Sequence, residues 1–191
     1  MEDHLIEDGP EKVIFLDVDG VLNTNKDGSI IEEKFVESLA KIVHATGAKI
    51  ILSSSWRYGY VRHIDETYHY HSEHVERLIC TLRQYGLQIA GITPMLFQGP
   101  SGRPFEIRSW LGNQANVKRF VILDDETFWV WNWLGDFVVC TTHEGEDQVH
   151  TFKTPSGEKK EIRHKTYQYG LTDSDVEKAI EILNRPIVPF E

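Results

Sequence analysis

Residues 12–23, Lys-Val-Ile-Phe-Leu-Asp-Val-Asp-Gly-Val-Leu-Asn, restrict the possible folds more than any other stretch of the chain. Val13, Ile14, Phe15 and Leu16 form an unbroken apolar run of strand length, the pattern of a parallel strand covered on both faces. Asp17 and Asp19 follow at once. In extended chain, residues i and i+2 project to the same side, so the two carboxylates converge just past the C-terminal edge of the strand, where open α/β sheets bind ligands. Like charges so close repel and raise one pKa unless a cation separates them. A hard divalent ion such as Mg²⁺ meets that need. Gly20 lets the backbone turn sharply. A calcium loop is disfavoured, because no Asp-x-Asp-x-Asp-Gly ladder with a Glu at its end follows.

Taken alone, Asp-x-Asp-Gly also suits an ordinary turn. Arg119-Phe120-Val121-Ile122-Leu123-Asp124-Asp125-Glu126 changes the odds by repeating the design, a short apolar strand running into carboxylates. Two such junctions in one chain are far less probable by chance than one. The plainer alternative for the second is an acidic helix N-terminus favoured by the macrodipole. Between them, Ala48–Leu52 reads as a second apolar strand that delivers Ser53-Ser54-Ser55-Trp56-Arg57, equally a serine-rich turn capping a helix. Further on, Pro104 fits a first helical turn and Ile107, Trp110 and Leu111 recur at helical spacing, which places Arg103 at the mouth of a helix. Apolar stripes predict further helices over 32–46, stopped by Gly47, and over 73–85, stopped by Gly86. Strands are expected at 87–92 and 137–141. Thr172 and Asp175 resemble a capping box opening a last helix that runs to Leu183.

A chain of 191 residues is one domain by length, and a hydrophobic fraction of 40% is ordinary for a soluble globular protein. No apolar run approaches a membrane span, and the first eight residues are acidic rather than a basic signal region, so a cytoplasmic protein without a membrane partner is expected. Residues 1–11 read as a loosely docked acidic leader. Cys80 and Cys140 fall in helix and strand patterns, which predicts two buried thiols rather than a disulfide. A net charge of −10 argues against a long nucleic-acid groove. Residues 153–165 nevertheless gather Lys153, Lys159, Lys160, Arg163 and Lys165.

Asp17-Val18-Asp19-Gly20-Val21-Leu22-Asn23 resembles the first motif of the haloacid dehalogenase (HAD) superfamily of phosphohydrolases. The resemblance implies an α/β, Rossmann-like three-layer sandwich with a central, mainly parallel sheet, a small flap and no large cap domain, working through an aspartyl-phosphate. It implies Asp17 as nucleophile and Asp19 as general acid and base, with Mg²⁺ held among Asp17, Asp19, Asp124 and Asp125. Ser53, or Ser54 if the assignment slips by one, and Arg103 then hold the phosphate. Lys118 competes with Arg103 but lies directly before its strand, towards the opposite end of the sheet. Leu-Ser-Ser-Ser-Trp-Arg, Glu-Ile-x-x-Trp-Leu, Leu-Asp-Asp and Gly-Leu-Thr are most similar to the HAD domains of "Swiss Army knife" RNA-repair proteins, which implies a phosphorylated substrate of the nucleotide or nucleic-acid-end class. A small phosphometabolite or phosphoprotein is the alternative within the chemistry. A non-catalytic binding module is the alternative outside it.

Residues 21–31 are rich in turn formers and read as a small hairpin flap. Residues 57–71 are expected to be an irregular aromatic and histidine-rich substrate loop, bordered by Trp56, Arg57 and Tyr58. Within and beside it His69, His71 and His74 suggest a transition-metal site, but no Cys or carboxylate completes a four-ligand set with familiar spacing, so a solvated His and Tyr loop contacting substrate is the better reading. The Trp129, Trp131, Trp133 cluster reads first as core. Residues 143–169 read as a basic β-hairpin insertion.

Overall fold

The computed structural model describes residues 11–24, 30–64, 73–96, 102–126, 131–154 and 158–186. Its centre is a five-stranded, all-parallel sheet. The strands are β1 (Lys12–Leu16), β2 (Lys49–Leu52), β3 (Ile89–Ile92), β4 (Arg119–Asp124) and β5 (Val138–Cys140), in the order β3-β2-β1-β4-β5. The pleat explains why β1 is apolar throughout. Val13 and Phe15 face one side, with Ile107, Ile122, Trp131 and Leu134. Ile14 and Leu16 face the other, with Leu39, Leu78, Val121 and Ala179. Helices α1 (Glu33–Thr46), α3 (Glu73–Gln84) and α5 (Asp173–Asn184) bury their stripes on that second side. Helix α4 (Arg103–Gly112) and a 3₁₀ helix (Asn132–Phe137) cover the first. This is the expected three-layer α/β sandwich.

Local signals account for several boundaries. Gly47 adopts a left-handed φ of 70° and its N–H closes α1 on Val43 O at 2.8 Å. Helix α5 opens with a complete capping box between Thr172 and Asp175. Trp131 is fully buried, whereas Trp133 is exposed and packs edge-on against Phe105.

Two expectations need correction here. Arg57–Ile64 is a helix, α2, not the start of an irregular loop: the Ser54 and Ser55 carbonyls accept the N–H groups of Arg57 and Tyr58, and the chain continues helically. Residues 65–72, with His69 and His71, lie outside the described residues, and His74 is exposed on α3. Cys80 is exposed rather than buried, because it lies two residues past Leu78 and so on the outer side of α3; Cys140 is half-buried, and both thiols are free. Of the 21–31 flap, residues 25–29 are outside the described set; its ends are joined by Glu32 N–H donating to Leu22 O and by the Thr24 hydroxyl donating to Glu32. From the 1–11 leader only Glu11 is described, and its carbonyl accepts the Lys118 and Arg119 N–H groups.

Beyond β5 the chain forms a two-tier antiparallel arm. The root tier is β6 (Thr142–Glu144) with β9 (Tyr167–Tyr169), and the outer tier is β7 (Gln148–Lys153) with β8 (Lys159–His164).

Candidate active site

The parallel register gathers the chemically active residues on one sheet edge. Leu16 is level with Leu52 on one neighbour and Leu123 on the other, so the residues that follow emerge together. The ladder continues one step further: Asp17 N–H donates to Leu123 O, Ser53 N–H to Leu16 O, and Thr141 N–H to Asp124 O, at 2.8–2.9 Å. Lys118 sits at the other end, paired with Glu11.

Asp17 and Asp124 are almost wholly buried, and carboxylate oxygens of Asp17, Asp124 and Asp125 lie within 4.8 Å of one another. Arg103, at the mouth of α4, donates from Nη1 to Asp17 Oδ2 at 2.8 Å and to Asp124 Oδ2 at 2.5 Å. Burial lifts the Asp17 carboxyl above its ordinary pKa, opposed by Arg103 and then by the Ser54 hydroxyl. Burial, and after it the charge on Asp17, pushes Asp124 up to about 8. The same two causes in the same order push Asp125 up to about 6. Burial works against the Arg103 charge, but the two carboxylates overcome it and hold the guanidinium protonated. Among the described residues one fixed cation therefore serves three acids, and the group remains short of positive charge.

The buried polar atoms agree with that shortfall. Asp17 Oδ1 and Ser53 Oγ are buried with no hydrogen-bond partner among the described residues, and so is Oγ1 of Thr93, just beyond β3. Unmade buried hydrogen bonds cost about 1–3 kcal/mol each, so three at one sheet edge mark a place prepared for a ligand. The donor set is all oxygen and anionic, which fits a hard divalent cation. Gly20 makes room for the Asp125 side chain: φ is +74°, and a Cβ there would fall 2.5 Å from it. The base of the arm holds both acidic loops in place, since Thr141 Oγ1 donates to Gly20 O at 2.7 Å and Thr142 Oγ1 to Asp125 O at 2.6 Å.

Asp19 stands apart from the three clustered acids. Trp56 Nε1 donates to its Oδ2 and Asn23 Nδ2 to its Oδ1, both at 3.0 Å. Asn23 also accepts Gly20 N–H through Oδ1, so it folds the turn and orients Asp19 together. Ser54 is fully buried and accepts Trp56 N–H. Of the expected substrate-loop residues, Tyr58 is exposed, Trp56 serves Asp19, and Arg57 turns inward as a correction to that reading. Arg57 Nη2 donates to Glu106 Oε2 at 2.6 Å and Nη1 to Ser54 O at 3.0 Å, so it cannot also reach out to a substrate. Asn23, Thr93 and Glu106 are site residues that the sequence reading missed. The Asn ending the first motif and the Glu one turn after Arg103 were visible signals, whereas nothing in the sequence distinguished Thr93.

A family described as the HAD domain in Swiss Army Knife RNA repair proteins matches residues 13–149, well over half the chain and inclusive of every acid at this edge. No curated protein and no solved structure matches the chain.

Proposed function

Starting from the fact that the chain belongs to this family of HAD domains, we propose that it is a Mg²⁺-dependent phosphatase that works through an aspartyl-phosphate on nucleotides or nucleic-acid phosphate ends. The observation that carries the reading is the half-satisfied state of Asp17: Arg103 holds Oδ2, while Oδ1 is buried without a partner among the described residues, beside two further carboxylates. Such an oxygen is aimed but unquenched. In this reading one Asp17 oxygen attacks phosphorus, the bond to the leaving oxygen breaks, and Asp19 gives that oxygen a proton. Water then attacks the acyl phosphate, Asp19 takes the water's proton, and inorganic phosphate departs with Asp17 restored. Trp56 and Asn23 support this division of labour by holding Asp19 clear of the other acids. Ser53 Oγ and the Arg103 donors other than Nη1 are suited to the equatorial phosphoryl oxygens. Asp17, Asp124 and Asp125 would hold the Mg²⁺, which when bound neutralises charge shared by these carboxylates and the phosphoryl group.

Phosphate release tests the proposal, with Mg²⁺ or EDTA, on nucleotides, 3′- and 5′-phosphorylated oligonucleotides, phosphosugars and phosphopeptides. Turnover on the nucleic-acid members that needs Mg²⁺ and falls by about 10⁴-fold or more in Asp17→Asn is expected. Normal turnover in Asp17→Asn removes the nucleophile from the scheme. Inactivity on the whole panel, with no measurable Mg²⁺ binding, makes the chain a binding module instead.

A further inference from the structure

The outer arm has no evident structural purpose. All residues of β7 and β8 are exposed, Phe152, Ile162 and Val149 by 43%, 44% and 49%. A lone two-stranded ribbon is marginal in water unless something covers it. Its charge is also unusual, for residues 148–165 hold five Lys or Arg against two Glu in a chain of net charge −10. Among the described residues Lys165 pairs with Glu144, but no ion pair engages Lys153, Lys159, Lys160 or Arg163. The register sets Lys153 directly opposite Lys159, with Lys160 opposite Phe152 on the other face. Like charges facing across a ladder destabilise it, so this tip is built for an external anion.

We propose that the arm binds the sugar-phosphate backbone and bases of a single-stranded nucleic acid whose phosphorylated end enters the Asp17 site; the second half of this statement rests on the phosphatase reading above. Three features favour a nucleic-acid strand over an acidic polypeptide. Lysines at the tip answer phosphates, and on the Lys160 face Phe152, His150 and His164 add flat rings on which bases stack. Six residues of strand reach about 20 Å, well past the roughly 8 Å over which salt screens the acidic body from an approaching polyanion. Finally, the arm is rooted at the catalytic edge. Its first residues bond the Gly20 and Asp125 carbonyls, and Gly170, where it returns, donates to Gly20 O at 2.9 Å. The family match ends at residue 149, so nearly the whole outer tier lies outside it.

The test uses the full Asp17→Asn chain, which binds without turnover, and a fluorescent single-stranded oligonucleotide with a terminal phosphate. Affinity should fall with salt with a log–log slope of up to about −3, given about −0.7 per phosphate neutralised by the four free cations. K159E/K160E should flatten that slope by about 1.4, and Phe152→Ala should weaken binding about 5- to 150-fold. In the otherwise wild-type chain, the same arm variants should lose kcat/KM on the oligonucleotide while leaving hydrolysis of p-nitrophenyl phosphate within about twofold. Binding no tighter than that of a mononucleotide, or equal loss on both substrates, overturns the arm's role. So does an arm variant whose effect is to dissociate a dimer seen by light scattering. Arm-dependent binding by a chain that hydrolyses nothing would instead sink the phosphatase reading and leave the arm standing.

Discussion

Replacing Glu106 by Gln isolates the interaction that ties the catalytic edge together. Glu106 and Arg57 are 1% and 4% exposed, and their 2.6 Å contact is a buried ion pair. Glu106 also accepts Leu96 N–H at 3.0 Å, so one carboxylate links α4, the serine turn after β2 and the chain leaving β3. The glutamine amide would keep the shape and the bond to Leu96 but leave the Arg57 charge buried without its partner. Removing one member of such a pair costs about 3–5 kcal/mol, a large share of the roughly 5–15 kcal/mol that holds a domain folded. For a chain of this size the melting temperature should drop by on the order of 10 °C. Activity should fall as well, because Arg103 lies one turn earlier on the same helix and its two hydrogen bonds depend on where that helix begins. Urea unfolding of Glu106→Gln, Arg57→Met and the double variant measures the coupling. The double variant should recover much of the larger single loss, since no charge then remains buried and Ser54 O still accepts the backbone N–H of residue 57. Single losses below about 1 kcal/mol, or a double loss equal to their sum, would refute the reasoning.

Stability without metal should depend on pH in a direction set by the acids. Asp124 and Asp125, raised to about 8 and about 6 from 3.8, bind protons more tightly folded than unfolded. Their contribution is therefore complete below pH 3.8 and is lost as pH rises through about 6 and then about 8, with EDTA present. Mg²⁺ needs those carboxylates ionised, so its affinity should climb over the same window and reverse the trend. Denaturant midpoints at several pH values, with EDTA or Mg²⁺, check both slopes; a metal-free stability that rises across this range contradicts the assignment. Gly20→Ala should cost about 1–3 kcal/mol from its left-handed backbone and weaken Mg²⁺ about 10- to 100-fold by displacing Asp125. Gly47→Ala, with φ +70° but nothing within 4 Å of its Cβ, is the control that should show the first loss without the second in calorimetric titration.

The sequence by itself determined the layers and the chemistry they present, because those signals are local. An apolar run of four residues followed by acids can be read without knowing its neighbours, as can a Gly ending a helical stripe or a Thr and Asp spaced for a capping box. These marked β1, β4, α1 and α5 and placed Asp17, Asp124 and Asp125 at strand ends. Tertiary structure alone decided which of these groups meet. Strand order puts β4 and β2 on either side of β1, so Asp17 faces Asp124 and Ser53, while Asp19, two residues on, is drawn off to Trp56 and Asn23. Arg57 and Arg103 have the same side-chain chemistry, yet one is spent on Glu106 in the interior and the other bridges the acids. Spacing along a chain says which side of an element a residue occupies. What lies opposite it is fixed by packing between segments far apart in sequence, and the charge of a buried site follows from that.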